Sequence, residues 1–242
     1  IWDPENAGSP MYESAHFISS KYTSHFFGYP MPEHYPDYPN YRQLLDYIRA
    51  FARDYGLYPH MTFNTAVTWA EPDGDGWLVT LSTGEQRRYA GIICANGVTW
   101  HPSLPQYPGL ERFAGEVRHS VTYRSSQEFR DRRVLIVGAG NSGVDIACDA
   151  AHSARKAFIS LRRGYRFIPK HIFGVPTDVF INEQIMPPKG VVVPDDPGTL
   201  IDAIVGDLTR FGLPKPDHMA LASHPIMNTQ MIHHLAHGDI AA

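Results

Sequence analysis

The stretch RRVLIVGAGNSGVDIACDAA, beginning at Arg132, constrains the fold more than any other part of the chain. VLIV is a short all-apolar run, the pattern of a strand covered on both faces. Gly138, Gly140 and Gly143 then form GxGxxG, and Val144, Ala147, Cys148 and Ala151 mark one stripe of a helix. Asp145, Asp149 and His152 fall on the opposite side, which is expected to be wet. AFISL follows as a second buried strand. Strand, helix and strand within about thirty residues make a βαβ unit, so an α/β, Rossmann-like fold is expected here.

A glycine turn between a strand and a helix is the arrangement a dinucleotide pyrophosphate needs. The first glycine allows the tight turn, the second lets the backbone approach the phosphates, and the third lets helix and strand pack closely. The helix N-terminus adds unpaired N–H groups and partial positive charge. Past the second strand the chain reads SLRRGYR, with Ser160, Arg162, Arg163 and Arg166 where an NAD site would carry Asp or Glu. A carboxylate would repel a 2′-phosphate, whereas arginine grips it with a charged fork. NADP is therefore favoured. A purely structural glycine turn and a solvated basic strand end are the alternatives.

The unit begins more than halfway along 242 residues, and the first half reads differently. Residues 10–39 are rich in Pro, Tyr and His, a composition that favours extended, irregular backbone. Asn40 with Gln43 gives a capping-box start, after which Leu44, Ile48, Phe51 and Tyr55 recur at helical spacing until Gly56. FNTAVTW, WLVTL and Gln86 to Tyr89 read as a small antiparallel meander, with EPDGDG and STGE as its turns. GIICANG reads as a buried strand, and HPSLPQYPG as a Pro-rich linker.

A formal net charge of -4 and 43% apolar content exclude a polybasic nucleic-acid or membrane-surface binder. No apolar run reaches the ~18 residues of a membrane helix. Cys94 and Cys148 lie far apart with no CxxC, which fits a reducing, cytoplasmic setting; both are expected to be small buried hydrophobes. His233 and His237 are four apart and could face a metal from one helix, but no HExxH or third ligand accompanies them, so ordinary histidines are favoured. The chain opens IWDPENAGSP and closes HHLAHGDIAA, which read as cut edges.

Upstream of the glycine turn lies FAGEVRHSVTY, in which Phe113, Gly115, His119 and Tyr123 give FxGxxxHxxxY. With that fingerprint the sequence resembles the flavin-containing monooxygenase family. MYESAHFISSK, GYPMPEHYPDYP, the NG-ending strand before the PG linker, GNSGVDIA and SHPIMNTQ look like the same family, so the resemblance covers nearly the whole chain. The related Baeyer–Villiger enzymes carry Trp at the position of Tyr123. Two departures are Ile18, where many animal and yeast members have an Asn thought to contact flavin and bound NADP, and Asn96, where Thr is usual. Ile18 cannot donate a hydrogen bond.

The resemblance implies a flavoprotein with two dinucleotide-binding domains, of which residues 1–123 are the middle of the FAD domain and 124–242 most of an inserted NADP domain. The FAD glycine turn then precedes this chain, which is expected to be an internal piece of a longer enzyme. The implied chemistry runs from NADPH to FAD. Reduced flavin and O2 give a C4a-hydroperoxide, whose distal oxygen goes to a soft nucleophile, an amine nitrogen or a sulfide. Gly138, Gly140, Asn141, Ser142 and Gly143 would hold the NADP pyrophosphate, with Ser160, Arg162 and Arg163 at the 2′-phosphate. His119 and Tyr123 would sit at the hinge between domains and position NADP rather than act as acid or base. The alternatives are a Baeyer–Villiger monooxygenase and a non-catalytic NADP-binding fragment; a homo-oligomer is left open. A disulfide reductase would need paired cysteines, and a short-chain dehydrogenase a Tyr-x-x-x-Lys, and neither is present.

Overall fold

The computed structural model describes residues 1–183, 189–190, 197–218, 222–223 and 226–242. It divides into two compact units, one of Ile1–Tyr47 with Leu104–Ala242, the other of Ile48–Ser103.

Residues 10–39 form no helix or strand. Their backbone is instead tied by single bonds, Glu13 N–H to Arg124 O and Phe17 N–H to Pro39 O, both 2.8 Å. Helix α1 (Tyr41–Asp54) opens on a reciprocal cap. Asn40 Oδ1 accepts from the N–H groups of Arg42 and Gln43, and Gln43 Oε1 accepts from the Asn40 N–H, each at 3.0 Å. Leu44 is buried, flanked by Tyr41 and Tyr47, whereas Tyr55 lies past the helix and is exposed. Gly56, at φ +61°, stops it. Asn40→Ala should lower stability by about 1 kcal/mol, seen as a lower urea midpoint at constant slope.

In the second unit, β1 (Val67–Asp73), β2 (Gly76–Leu81) and β3 (Gln86–Tyr89) form an antiparallel sheet in that order. The meander is as expected, but β1 is displaced. Asn64 takes a left-handed φ of +53°, which breaks extension through Phe63, and the strand runs on through Pro72 to a two-residue turn at Gly74 and Asp75. Proline is tolerated because β1 is an edge strand. The expected strand GIICANG is not formed. Residues 91–97 have no ladder partner among the described residues, Ile93 is 93% exposed, and Cys94 is exposed rather than buried. An apolar run becomes a strand only where a neighbour takes its main-chain hydrogen bonds.

The first unit carries the βαβ. β4 (Arg133–Val137) leads through the glycine turn to α2 (Asn141–Ser153) and β5 (Lys156–Ser160). Then come the β6 (His171–Ile172) and β7 (Val175–Pro176) hairpin, α3 (Thr177–Asn182), α4 (Pro197–Val205), α5 (Gln230–His237) and β8 (Ile240–Ala241). The parallel sheet has the order β4-β5-β8. Val144, Ala147 and Ala150 of α2 pack with Ala157 and Ile159 of β5 and with Met231 and Leu235 of α5. That core meets Val134 and Ile136 of β4, and leaves Leu135 and Val137 60% and 57% exposed. The VLIV run is therefore covered on one face, not two.

Candidate functional site: the turn between β4 and α2

Gly138 adopts φ +98°, a conformation that L side chains avoid, and its N–H donates to Ser160 O at 2.8 Å. That bond ties the turn to the end of β5. Gly140 is the N-cap of α2 and its carbonyl accepts from Val144 N–H at 3.0 Å. Gly140 has no side chain with which to cap the helix. A Cβ added at Gly138 or Gly140 would meet nothing within 4 Å, whereas one at Gly143 would stand 2.4 Å from Gly138 O. The first two glycines thus leave open space over the amides, and the third lets α2 close on the turn. A pyrophosphate fits this cradle.

The parallel register pairs Val137 with Ser160, so the chain after β5 leaves the sheet at the same edge as the glycine turn. Arg162 is exposed and makes no hydrogen bond or ion pair among the described residues. Arg163 is partly committed. Its Nη2 donates to Ser223 Oγ at 3.0 Å and its guanidinium lies 5.5 Å from the Tyr165 ring centre, but its buried Nε has no partner among the described residues. Arg166 is spoken for by His218 O at 2.9 Å and by Asp202. Gly164 holds this loop in place: a Cβ there would lie 2.3–2.4 Å from backbone atoms of Pro214, Lys215 and Pro216. Among the described residues Arg162 has no acidic partner, which suits an anionic ligand.

In the upstream fingerprint Phe113 is exposed and Gly115 lies beneath its ring, where a Cβ would be 2.6 Å from the ring edge. His119 Nδ1 accepts from Val121 N–H at 3.1 Å, which puts the proton of the neutral ring on Nε2. Tyr123 is buried, stacks on Phe129 at 5.0 Å and donates its hydroxyl to Asp149 Oδ2 at 2.7 Å.

That last bond corrects the reading of α2. Of Asp145, Asp149 and His152, only His152 is exposed. Asp149 also accepts from Ser14 Oγ, and Asp145 accepts from Tyr12 at 2.9 Å and from Asn228 Nδ2 at 2.7 Å. Burial raises the pKa of Asp145 above the usual carboxylate range, and burial together with the acidic neighbour raises those of Tyr12 and Tyr123. Asn141 and Asp145 bind the 226–231 segment to the helix: Asn141 Oδ1 accepts from Met227 N–H at 3.0 Å, and Asn228, which donates to Asp145, is itself held by accepting at Oδ1 from Met231 N–H at 3.0 Å. His224 and Pro225 of SHPIMNTQ lie outside the described residues. The only hint in the sequence was a pair of acidic residues four apart; their donors lie 26 to 135 positions away.

Cys148 is buried, as expected, and burial pushes its thiol up to about 12. His233 and His237 do share α5, with ring centres 4.0 Å apart, beside a cleft of about 490 Å³ that His152 and Asp239 also line. Among the described residues no three groups converge as a metal site. No helix among them is long and apolar enough to cross a membrane.

The profile of the family described as flavin-binding monooxygenase-like matches residues 3–238. Mouse flavin-containing monooxygenase 5 is 33% identical over 94% of this chain and 45% of its own length. The Arabidopsis thaliana probable indole-3-pyruvate monooxygenase YUCCA9 is 32% identical over 87% of this chain and 52% of its own. The chain therefore spans about half the length of the curated relatives it matches. Among solved structures, OTEMO in complex with FAD and NADP superposes with a TM-score of 0.69 over 95% of this chain and 56% of its own, at 19% identity, a likeness of fold. The chain belongs to the flavin-binding monooxygenase-like family.

Proposed function

We propose that the protein is an NADPH- and FAD-dependent monooxygenase of small molecules, and that this chain supplies its NADP site. The observation that carries the reading is the open turn at Gly138–Gly143, with Arg162, which has no partner among the described residues, following β5 at the same end of the sheet. In this reading the amides of Asn141, Ser142 and Gly143 bind the pyrophosphate. Arg162, with the neighbouring Arg163 guanidinium and the Ser160 strand end, selects the 2′-phosphate. Residues 124–242 then form the NADP domain, and residues 1–123 belong with the FAD domain.

Bound FAD, once reduced by NADPH, supplies the activated oxygen, and the protein binds, orients and excludes water. His119, turned into a helix cap, and Tyr123, bound to Asp149, are positioning groups in this scheme rather than proton donors to substrate. Tyr123 in place of Trp at the end of the fingerprint favours an amine nitrogen or sulfide as acceptor over Baeyer–Villiger insertion.

The test is to purify the full-length protein and follow NADPH and NADH consumption over a panel of amines, sulfides and ketones, with peroxide measured in parallel. A yellow protein that consumes NADPH at least about tenfold better than NADH, and faster with an amine or sulfide, is expected. Absence of flavin, or equal use of the two nucleotides, would overturn the assignment.

A further inference from the structure

We propose that Asp149 is a positioning residue for nucleotide binding: by accepting the hydroxyls of Tyr123 and Ser14, it sets the direction of α2 and so the aim of the amides at its N-terminus. This rests on the NADP site argued above but concerns residues that need not touch the nucleotide. Asp145 and Asp149 are i and i+4 on one helix face, an arrangement that weakens an isolated helix. Both are half-buried, where a carboxylate is best kept with its oxygens hydrogen-bonded. Each has two donors: Tyr12 and Asn228 for Asp145, Tyr123 and Ser14 for Asp149.

None of these donors belongs to the βαβ unit. Residues 12–14 precede it by more than a hundred positions, Tyr123 lies just upstream, and Asn228 lies beyond β5. The direction of the Tyr123 hydroxyl is fixed, because its ring lies parallel to Phe129 (7° between planes) and 5.7 Å from Tyr12. α2 is thus held at two points on one side, with Asp149 six residues from Gly143, about 9 Å along the axis. A helix freed at that point pivots, and displacements on the order of 1 Å are enough to spoil contacts to a bound group. The Tyr123 hydroxyl, the last element of the FxGxxxHxxxY fingerprint, gains a role: it bonds the fingerprint segment to the helix that carries the glycine turn.

The experiment uses the full-length protein with Tyr123→Phe, Ser14→Ala and Asp149→Asn, singly and paired. NADP is titrated directly, and steady-state kinetics, flavin content and thermal midpoint are recorded. Tyr123→Phe keeps the ring stack and removes one hydroxyl. It should raise the NADP Kd and the KM for NADPH by about three- to tenfold, with the larger change in KM than in kcat. Tyr123→Phe combined with Asp149→Asn should show less than the sum of the two single effects, since both break one bond. Ser14→Ala reads the same carboxylate where a Tyr123 variant fails to fold. A fall in thermal midpoint with unchanged NADP affinity in Tyr123→Phe and Ser14→Ala would overturn the inference and leave Asp149 a structural group. A wild-type protein that binds no NADP would instead overturn the NADP site, and this inference with it.

Discussion

Replacing Arg162 with alanine should weaken NADP binding by about 10- to 100-fold while leaving NAD binding nearly unchanged. A charge-assisted bond to a phosphate contributes about 1.5–3 kcal/mol, and each 1.4 kcal/mol is a factor of ten. Arg162 is the residue to change because it makes no hydrogen bond or ion pair among the described residues. Its removal leaves no buried carboxylate uncompensated, so folding stability should stay within about 0.5 kcal/mol of the parent. Arg166→Ala makes the contrast: it strips Asp202 and His218 of their partner and should act on stability instead. Titration of both nucleotides against both variants checks this. Equal loss of NADP and NAD affinity in Arg162→Ala would mean that the guanidinium acts on something other than the 2′-phosphate.

The glycine turn gives the second large effect, and the two glycines flanking the start of α2 should fail differently. At Gly143 a methyl group would lie 2.4 Å from Gly138 O, a backbone atom that cannot swing aside. Gly143→Ala must push α2 off the turn, with a loss of about 1–3 kcal/mol in stability as well as at least tenfold in NADP affinity. At Gly140, with φ -70°, the protein itself has room for a methyl group. Gly140→Ala should fold as the parent does, yet bind NADP about tenfold or more weakly, because the methyl occupies the space through which the phosphates approach. Denaturation midpoints and direct titration separate the two. If Gly140→Ala binds NADP as the parent does, the phosphates do not lie over this turn.

Features decided by neighbouring residues were legible from the start. The Asn40–Gln43 cap, β3 from Gln86 to Tyr89 and the βαβ unit all rest on contacts within a few positions or on an unbroken apolar period. Boundaries were less legible. Phe63 looks like strand and Pro72 like turn, but a left-handed Asn64 and an edge position for β1 moved the strand by several residues. The GIICANG segment has the composition of a buried strand, and composition says nothing about whether a neighbour lies alongside. The expected wet face of α2 failed for a similar reason. Carboxylates four apart look solvated until Tyr12, Ser14 and Tyr123 are brought to them, and nothing near Asp149 in the sequence announces that.

By itself, the sequence determined the residue types of the turn. Glycines at three positions and basic side chains two dozen residues later are local facts, and the strand–helix–strand period carries them to a common edge. Only the tertiary structure decided which arginine is left without a partner among the described residues, which glycine is there for packing and which for open space, and which carboxylates of α2 meet distant donors. Those distinctions depend on whether a donor, a carbonyl or empty space lies within about 3 Å, and the chain sets such distances only when segments far apart along it close upon one another.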